Sequence, residues 1–295
     1  MKTVAVNGQD LCITKGIVRT ISPFEEWLDT IEDTETCIRV CKEQKIPADI
    51  LRFSQNLPNV IPRYRYYSEP LGLAVIPIST YDNWFRNQIH RNVRNKIRKS
   101  EKLGVRTVVH AFDRRLLEGL VQIFNETRLR RGKPNLYYGK TLEEVEKEWA
   151  PDLDRSCFIV ALFEGEIIGF VKLVFSGFAG RTSGTVAKIA HRDKAPMNAL
   201  IAAAVNICAE RKVPYMIYGK YTYGKKGEDS LTDFKRSNGF ERIEVPEYYI
   251  PLSFRGWIGL KLGLHHEPSS LFPQWVLRFL LTIRSRYYEK RFLLL

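Results

Sequence analysis

The chain has 295 residues, 44% of them hydrophobic and 27% charged, a balance close to that of folded globular proteins, which excludes a disordered or fibrous chain. Lys and Arg total 46 against 33 Asp and Glu, a formal charge of +13, so an anionic partner is expected: a nucleotide-bearing acyl donor, tRNA, a sugar nucleotide or an acidic lipid surface. At roughly 100 to 200 residues per domain the length allows one large domain or two small ones.

The five cysteines (Cys12, Cys37, Cys41, Cys157, Cys208) are odd in number and scattered, which points to free thiols in a reducing, cytoplasmic setting. Cys37 and Cys41 share a helix face, but the five histidines supply no second pair at zinc-site spacing, so no metal is expected. Residues 1–20 lack a basic start followed by an apolar run, and the most apolar tail segment, 276–283, contains Arg278. It falls far short of the roughly 20 residues a bilayer helix needs.

Residues 1–80 mix short strand-like runs (11–13 and 17–18) with a helix expected over 23–45. The run GLAVIPI (72–78) reads as a strand. From Tyr81 the period changes to that of a helix, with Ile89, Val93 and Ile97 on one face, Arg91, Arg94, Lys96, Arg98, Lys99 and Lys102 elsewhere, and Gly104 ending it. A strand is expected over 105–111 and helices over 114–130 and 141–149, the latter with Thr141 and Glu144 at capping-box spacing. A hairpin (157–163 and 167–175) turns at Glu164-Gly165-Glu166, and a third strand spans 182–190. Then come a helix over 197–211, a strand over 214–218, a helix over 230–237 and a strand over 240–250. A meander followed by a β-α-β crossover predicts a mixed sheet with a cleft where it splays.

Three stretches carry a resemblance: the hairpin FIVALFEGEIIGFVKLV (158–174), the strand-to-helix passage after Ala190, and FKRSNGF (234–240). Together they resemble the core of the GNAT acyltransferase superfamily. With IRKSEKLGV (97–105) and the FK dipeptide before a Gly, they are similar to its Fem-like branch of aminoacyl and acyl transferases of the cell envelope. The resemblance covers roughly 84–252 and implies an α/β (α+β) fold, a mixed, mainly antiparallel sheet flanked by helices. The expected division is an N-terminal α/β extension (1–82), the GNAT-like domain (83–252) and a basic amphipathic C-terminal tail (253–295).

The resemblance also implies an activated acyl donor: acyl-CoA, aminoacyl-tRNA or an acyl carrier protein. In GNAT enzymes a Gly-rich turn and the following helix N-terminus hold the pyrophosphate of acyl-CoA. Here the turn 191–197 (HRDKAPM) has no Gly. Phosphate would then fall to side chains, with Lys188, Arg192, Lys194, Asn198 and Phe234 as the donor-binding candidates. The alternative is a basic surface turn with Pro196 starting a helix. Where many GNAT enzymes place a Tyr that protonates the leaving group, this chain has Lys235, a cation suited to stabilising a developing oxyanion, or else a solvated helix lysine.

Glu126 is the candidate general base for the attacking amine, or an i, i+4 partner of Arg130, and His191 is a second candidate base or a structural histidine. Arg128, Arg131, Tyr137, Tyr138, Lys172 and Tyr218 are expected on the acceptor side. Arg63-Tyr64-Arg65-Tyr66-Tyr67 reads either as a base-stacking strip or as an edge strand. The tail alternates Trp257, Leu260, Leu264, Trp275 and Phe279 with basic residues, the pattern of a helix lying on an anionic membrane at its inner face or packing on the domain. The expected function is N-acyl or aminoacyl transfer to an amine, a cell-envelope or polysaccharide precursor being one acceptor. The alternative is a non-catalytic GNAT-like module gripping tRNA or another polyanion.

Overall fold

The structure is a computed structural model and describes residues 2–130, 132–223 and 229–266, with 279, 282–284 and 286–288 beyond them. Arg131 and most of the tail past 266 lie outside the described residues. Strands β1 (Lys2–Val6), β2 (Gln9–Thr14) and β3 (Thr20–Pro23) precede α1 (Thr34–Glu43), β4 (Ile50–Ser54) and β5 (Ser68–Pro77). A short turn α2 (Tyr81–Asn83) enters a π-helical turn (Trp84–Gln88), followed by α3 (Arg91–Lys102), β6 (Arg106–His110), α4 (Arg114–Asn125), the ribbon β7 (Leu129–Arg130) and β8 (Lys133–Pro134), and α5 (Leu142–Trp149). Then come β9 (Ser156–Phe163), β10 (Glu166–Phe175), β11 (Ala179–Ala187), a 3-10 turn (Ile189–Lys194), α6 (Pro196–Glu210), β12 (Tyr215–Lys220), α7 (Ser230–Ser237), β13 (Glu241–Pro251) and α8 (Phe254–Lys261).

The contacts draw two compact units, one of 1–74, 219–227 and 242–273, the other of 75–218, 228–241 and 274–295. This interleaving differs from the successive segments 1–82, 83–252 and 253–295. Its cause is β13, which pairs antiparallel with β4 from Glu247↔Ser54 to Pro251↔Ile50 and so joins the N-terminal strands. In the first unit the order is β1-β2-β3-β4-β13. Its core gathers Leu11, Ile21, Leu51, Phe53, Tyr248 and Ile250 with Cys37 and Cys41 of α1, so both thiols act as small core side chains.

In the second unit the order is β12-β11-β10-β9-β6. β9, β10 and β11 are joined antiparallel and only β11 and β12 run parallel, giving the mixed, mainly antiparallel sheet expected. Every residue of β10 from Ile167 to Phe175 is buried; a strand with one wet face would alternate, so both faces are covered. Gly119 of α4 lies against Ile167, and Gly169 of β10 lies against Leu200 of α6. The hairpin turn holds Glu164 at φ 51° and Gly165 at φ 82°, the left-handed pair that a two-residue turn between twisted strands requires.

Three helices differ from their expected spans. The helix over 23–45 shrinks to α1, because Trp27 sits at φ 74°, and α1 starts only where the Asp33 carboxylate accepts from Thr36 N at 3.0 Å. The helix from Tyr81 breaks at Ile89 (φ −96°, ψ 153°). There the Arg94 guanidinium donates to the carbonyls of Phe85, Arg86 and Ile89, supplying the orphaned acceptors that a continuous helix would have bonded. The helix over 114–130 stops at Asn125, and the chain then forms the β7–β8 ribbon. The aromatic-basic run 63–67 is a loop entering β5 rather than an edge strand, and Tyr64 packs on Phe53 and Tyr248 at 5.6 and 5.2 Å.

Gly184 has a steric role. A Cβ there would stand 2.2 Å from the Trp149 ring. Gly184→Ala is therefore expected to destabilise the protein by about 1–3 kcal/mol through overpacking, read as a lower urea midpoint; an unchanged midpoint would show that Trp149 moves aside freely.

Candidate functional site

The residues expected to carry chemistry that the structure describes all belong to the second unit. The parallel pair β11–β12 holds register for only three residues, Ala179↔Tyr215 to Arg181↔Ile217, although both strands continue beyond it. Past Arg181, contact between the strands is made by side chains: Thr182 Oγ1 donates to Tyr218 O at 3.4 Å, and Thr185 Oγ1 meets the Tyr218 hydroxyl at 2.9 Å. At the same point β11 bulges, its register against β10 jumping from Gly184 to Thr182 and leaving exposed Ser183 out of the ladder. A bulge of this kind re-aims backbone groups where strands part.

α7 delivers a cation to this place. Its N-cap Asp229 accepts from Leu231 N, Thr232 N and Thr232 Oγ1 at 3.0, 2.9 and 3.1 Å, fixing the helix so that Thr232 and Lys235 face inward. Lys235 is 0% exposed, and its ammonium lies 5.2 Å from the centre of the Tyr218 ring. The solvated-lysine reading is therefore excluded. The half-buried Tyr218 ring is edge-on to Phe240 at 5.4 Å and tilted to Phe234 at 6.4 Å, and its hydroxyl meets Thr185 of β11. A desolvated ammonium against an aromatic face gains more from that contact than an exposed one would.

The far end of α7 is tied by Asn238, a residue the sequence reading passed over. It is fully buried, donates to Phe234 O at 2.7 Å, and accepts from Asn198 Nδ2 at 3.1 Å on its side-chain oxygen and from Trp84 Nε1 at 3.0 Å on its carbonyl. Gly239 follows at φ 85° with Trp84 Nε1 3.2 Å from where its Cβ would be. Asn-Gly after a short polar helix was the available signal. Asn198, expected at the donor, instead fixes the helix that carries Lys235.

At the turn after β11 the cations expected to hold phosphate are engaged with the protein's own groups. The Glu126 carboxylate accepts from Ile189 N at 2.7 Å and Ala190 N at 2.8 Å, and pairs with Arg130 at 3.3 Å. The first amides of the 3-10 turn, where an external anion would dock, are thus held by the protein's own carboxylate. Three hydrogen bonds are thus made to this carboxylate, the arrangement of the i, i+4 partner of Arg130 rather than of a carboxylate facing a substrate. Lys188 pairs with Glu166, and His191 Nε2 lies 3.5 Å from the same carboxylate with its ring against Phe163. Lys194 sits 4.9 Å over Phe163 and Arg192 is exposed. The set Lys188, His191 and Lys194 therefore braces the β9–β10 hairpin. Lys188 and His191 hold the Glu166 carboxyl below its usual range, with the Lys188 hydrogen bond the leading cause.

The acceptor-side set divides as well. Lys172 is buried, and its ammonium donates to the carbonyls of Trp149 and Pro151 after α5, a capping role that takes it out of the cleft. Tyr137 stacks on Phe124 at 4.5 Å, and burial pushes its phenol up from the usual value. Arg128 and Tyr138 pair on the surface at 3.3 Å. Among the described candidates, Tyr218, Lys235, Phe234 and Asn198 are gathered at one place.

In the first unit Glu69 Oε1 lies 3.2 and 3.5 Å from Nε2 of His265 and His266. A ligating histidine normally donates its second N–H, whereas His265 Nδ1 is buried without a hydrogen-bond partner. Tyr67 donates to the same carboxylate at 2.7 Å, and the group reads as a hydrogen-bonded cluster.

Asn238→Ala is expected to lower stability by about 1–3 kcal/mol, the cost of stranding buried partners, measured by urea unfolding. Unfolding at the wild-type midpoint would show that the node is dispensable.

No family model matches this sequence, and no curated protein matches it. Solved structures do. L-PGS from Bacillus licheniformis aligns with TM-score 0.57 and 16% identity over 88% of this chain and 86% of the other. The C-terminal domain of a putative lysylphosphatidylglycerol synthetase from Agrobacterium fabrum aligns with TM-score 0.59 and 10% identity over 88% and 86%. FemX aligns with TM-score 0.59 and 13% identity over 88% and 89%. At such identities the likeness is one of fold. The chain shares the fold of these structures, a mixed α/β fold consistent with a GNAT-like one.

Proposed function

We propose that the protein is an aminoacyl or acyl transferase that moves its group from an activated ester to an amine, with the reaction centred where β11 and β12 part. The observation that carries this reading is the buried ammonium of Lys235, 5.2 Å from the ring of Tyr218. Acyl transfer develops negative charge on the carbonyl oxygen in the transition state. A cation already fixed in a water-poor setting stabilises that charge with no reorganisation at the moment of reaction. Lys235 is thus a positioning and electrostatic residue acting through Tyr218, whose hydroxyl meets Thr185 across the two strands.

The donor on this reading is aminoacyl-tRNA rather than acyl-CoA. Glu126 fills the anion position of the turn after β11, so a pyrophosphate there would meet a carboxylate. On α3 the exposed Arg91, Lys96, Arg98, Lys99 and Lys102 offer a basic face for a longer polyanion. A cytoplasmic site of action follows from that donor.

Two measurements check this. Transfer of labelled amino acid from charged tRNA to a panel of small amines is expected, with labelled acetyl-CoA left intact; turnover of acetyl-CoA alone would reverse the donor assignment. Lys235→Met, which replaces a buried charge by an apolar chain of similar length and is expected to fold, should lower transfer by about 10²-fold or more. Wild-type transfer by a folded Lys235→Met protein would remove the lysine from the mechanism.

The basic face of α3 favours a second reading, a module that binds RNA without turnover. On that reading RNA affinity falls steeply with salt, and Lys96→Glu/Lys99→Glu flattens the slope, while no label leaves any donor. Observed transfer would exclude it.

A further inference from the structure

α8 packs by its glycines and turns its large apolar side chains outward. A Cβ on Gly256 would stand 1.8 Å from Asp49 O, and one on Gly259 2.5 Å from Val18 Cγ2, so this face of the helix lies directly on the first unit. Leu260 and the following Leu264 complete the seam against Val18, Ile50 and Tyr249. The opposite face is the reverse of an ordinary surface helix: Phe254 is 77% exposed, Trp257 48%, Ile258 37% and Leu262 64%. Phe254 and Trp257 are stacked at 6.1 Å. Arg255 donates to the carbonyl of Ile17, which brings a further exposed side chain, 71% accessible, to the same patch.

Among the described residues of α8 and the turn after it the charged side chains are cations. Between 253 and 266 there are Arg255 and Lys261 and no Asp or Glu, and Lys261 lies 5.9 Å over the Trp257 ring. Of the nearby carboxylates, Asp49 is bonded to Arg19 and Ser253 and Glu69 to Tyr67 and His265. Clustered apolar side chains alone would suit any hydrophobic partner. An aromatic pair beside two cations, with the nearby described carboxylates already bonded, suits the boundary between acyl chains and anionic headgroups, with tryptophan at headgroup depth and the cations on the phosphates.

We propose that α8, with Ile17, is an interfacial docking surface for an anionic bilayer. It holds whether or not the transferase reading does. The test is co-sedimentation of the full chain with vesicles. Phosphatidylglycerol-rich vesicles are expected to bind it in a salt-sensitive way and pure phosphatidylcholine vesicles to bind it weakly. Phe254→Ser/Trp257→Ser, both at outward positions, should lose at least about tenfold in affinity. Lys261→Glu, which disturbs no buried group, should weaken binding and reduce its salt dependence. The proposal is overturned if the double variant, melting as wild type does, binds the anionic vesicles equally well, or if neither vesicle binds the wild type. It is overturned too if the wild type is a dimer in solution that the double variant dissolves, since the patch would then be an interface between copies.

Discussion

A lysine ammonium without solvent exposure is the constraint around which the second unit is arranged. Transferring such a charge from water is unfavourable by several kcal/mol unless the surroundings supply partners. α7 is fixed at its N-terminus by Asp229 and at its C-terminus by Asn238, which is in turn held by Asn198 and Trp84. A helix secured at both ends cannot swing Lys235 out to water. The ring of Tyr218 closes over the ammonium, and Thr185 holds the phenol from the neighbouring strand. The parting of β11 from β12 after three residue pairs then sets this positive charge beside the gap between the two strands.

A second feature of the same fold is self-satisfaction at the turn after β11. The Glu126 carboxylate takes the first amides of that turn, and the neighbouring cations brace the hairpin through Glu166 and Phe163. The basic surplus of the chain is instead displayed on α3 and beside α8.

Much of the second unit was legible in the sequence because its signals are local. The hairpin 158–174, the capping box of α5 and α7 with its Asn-Gly end depend on neighbours a few residues apart, and periodicity or cap chemistry reads them directly. What failed depended on distance in the chain. That Glu126 would meet Ile189, or Lys172 the carbonyls of Trp149 and Pro151, is fixed by sheet register and crossover, and a carboxylate or ammonium carries no mark in sequence of whether it meets a ligand or a backbone. The strand β13 was read correctly as a strand, but its partner β4 lies almost two hundred residues earlier, so the interleaving of the two units was not visible. The break at Ile89 was hidden for a similar reason: the helical period of Ile89, Val93 and Ile97 runs through it, and Arg94 repairs the severed ladder.

The central claim, a transfer centre at the parting of β11 and β12 supported from behind by Lys235, is tested most directly by a crystal structure of the chain with a non-hydrolysable aminoacyl-adenosine analogue. The account predicts the ligand's carbonyl carbon between the two strands beside Tyr218 and Ser183, with Glu126 still on the amides of Ile189 and Ala190. Ligand seated on those amides in place of Glu126, with the gap between the strands empty, would contradict it.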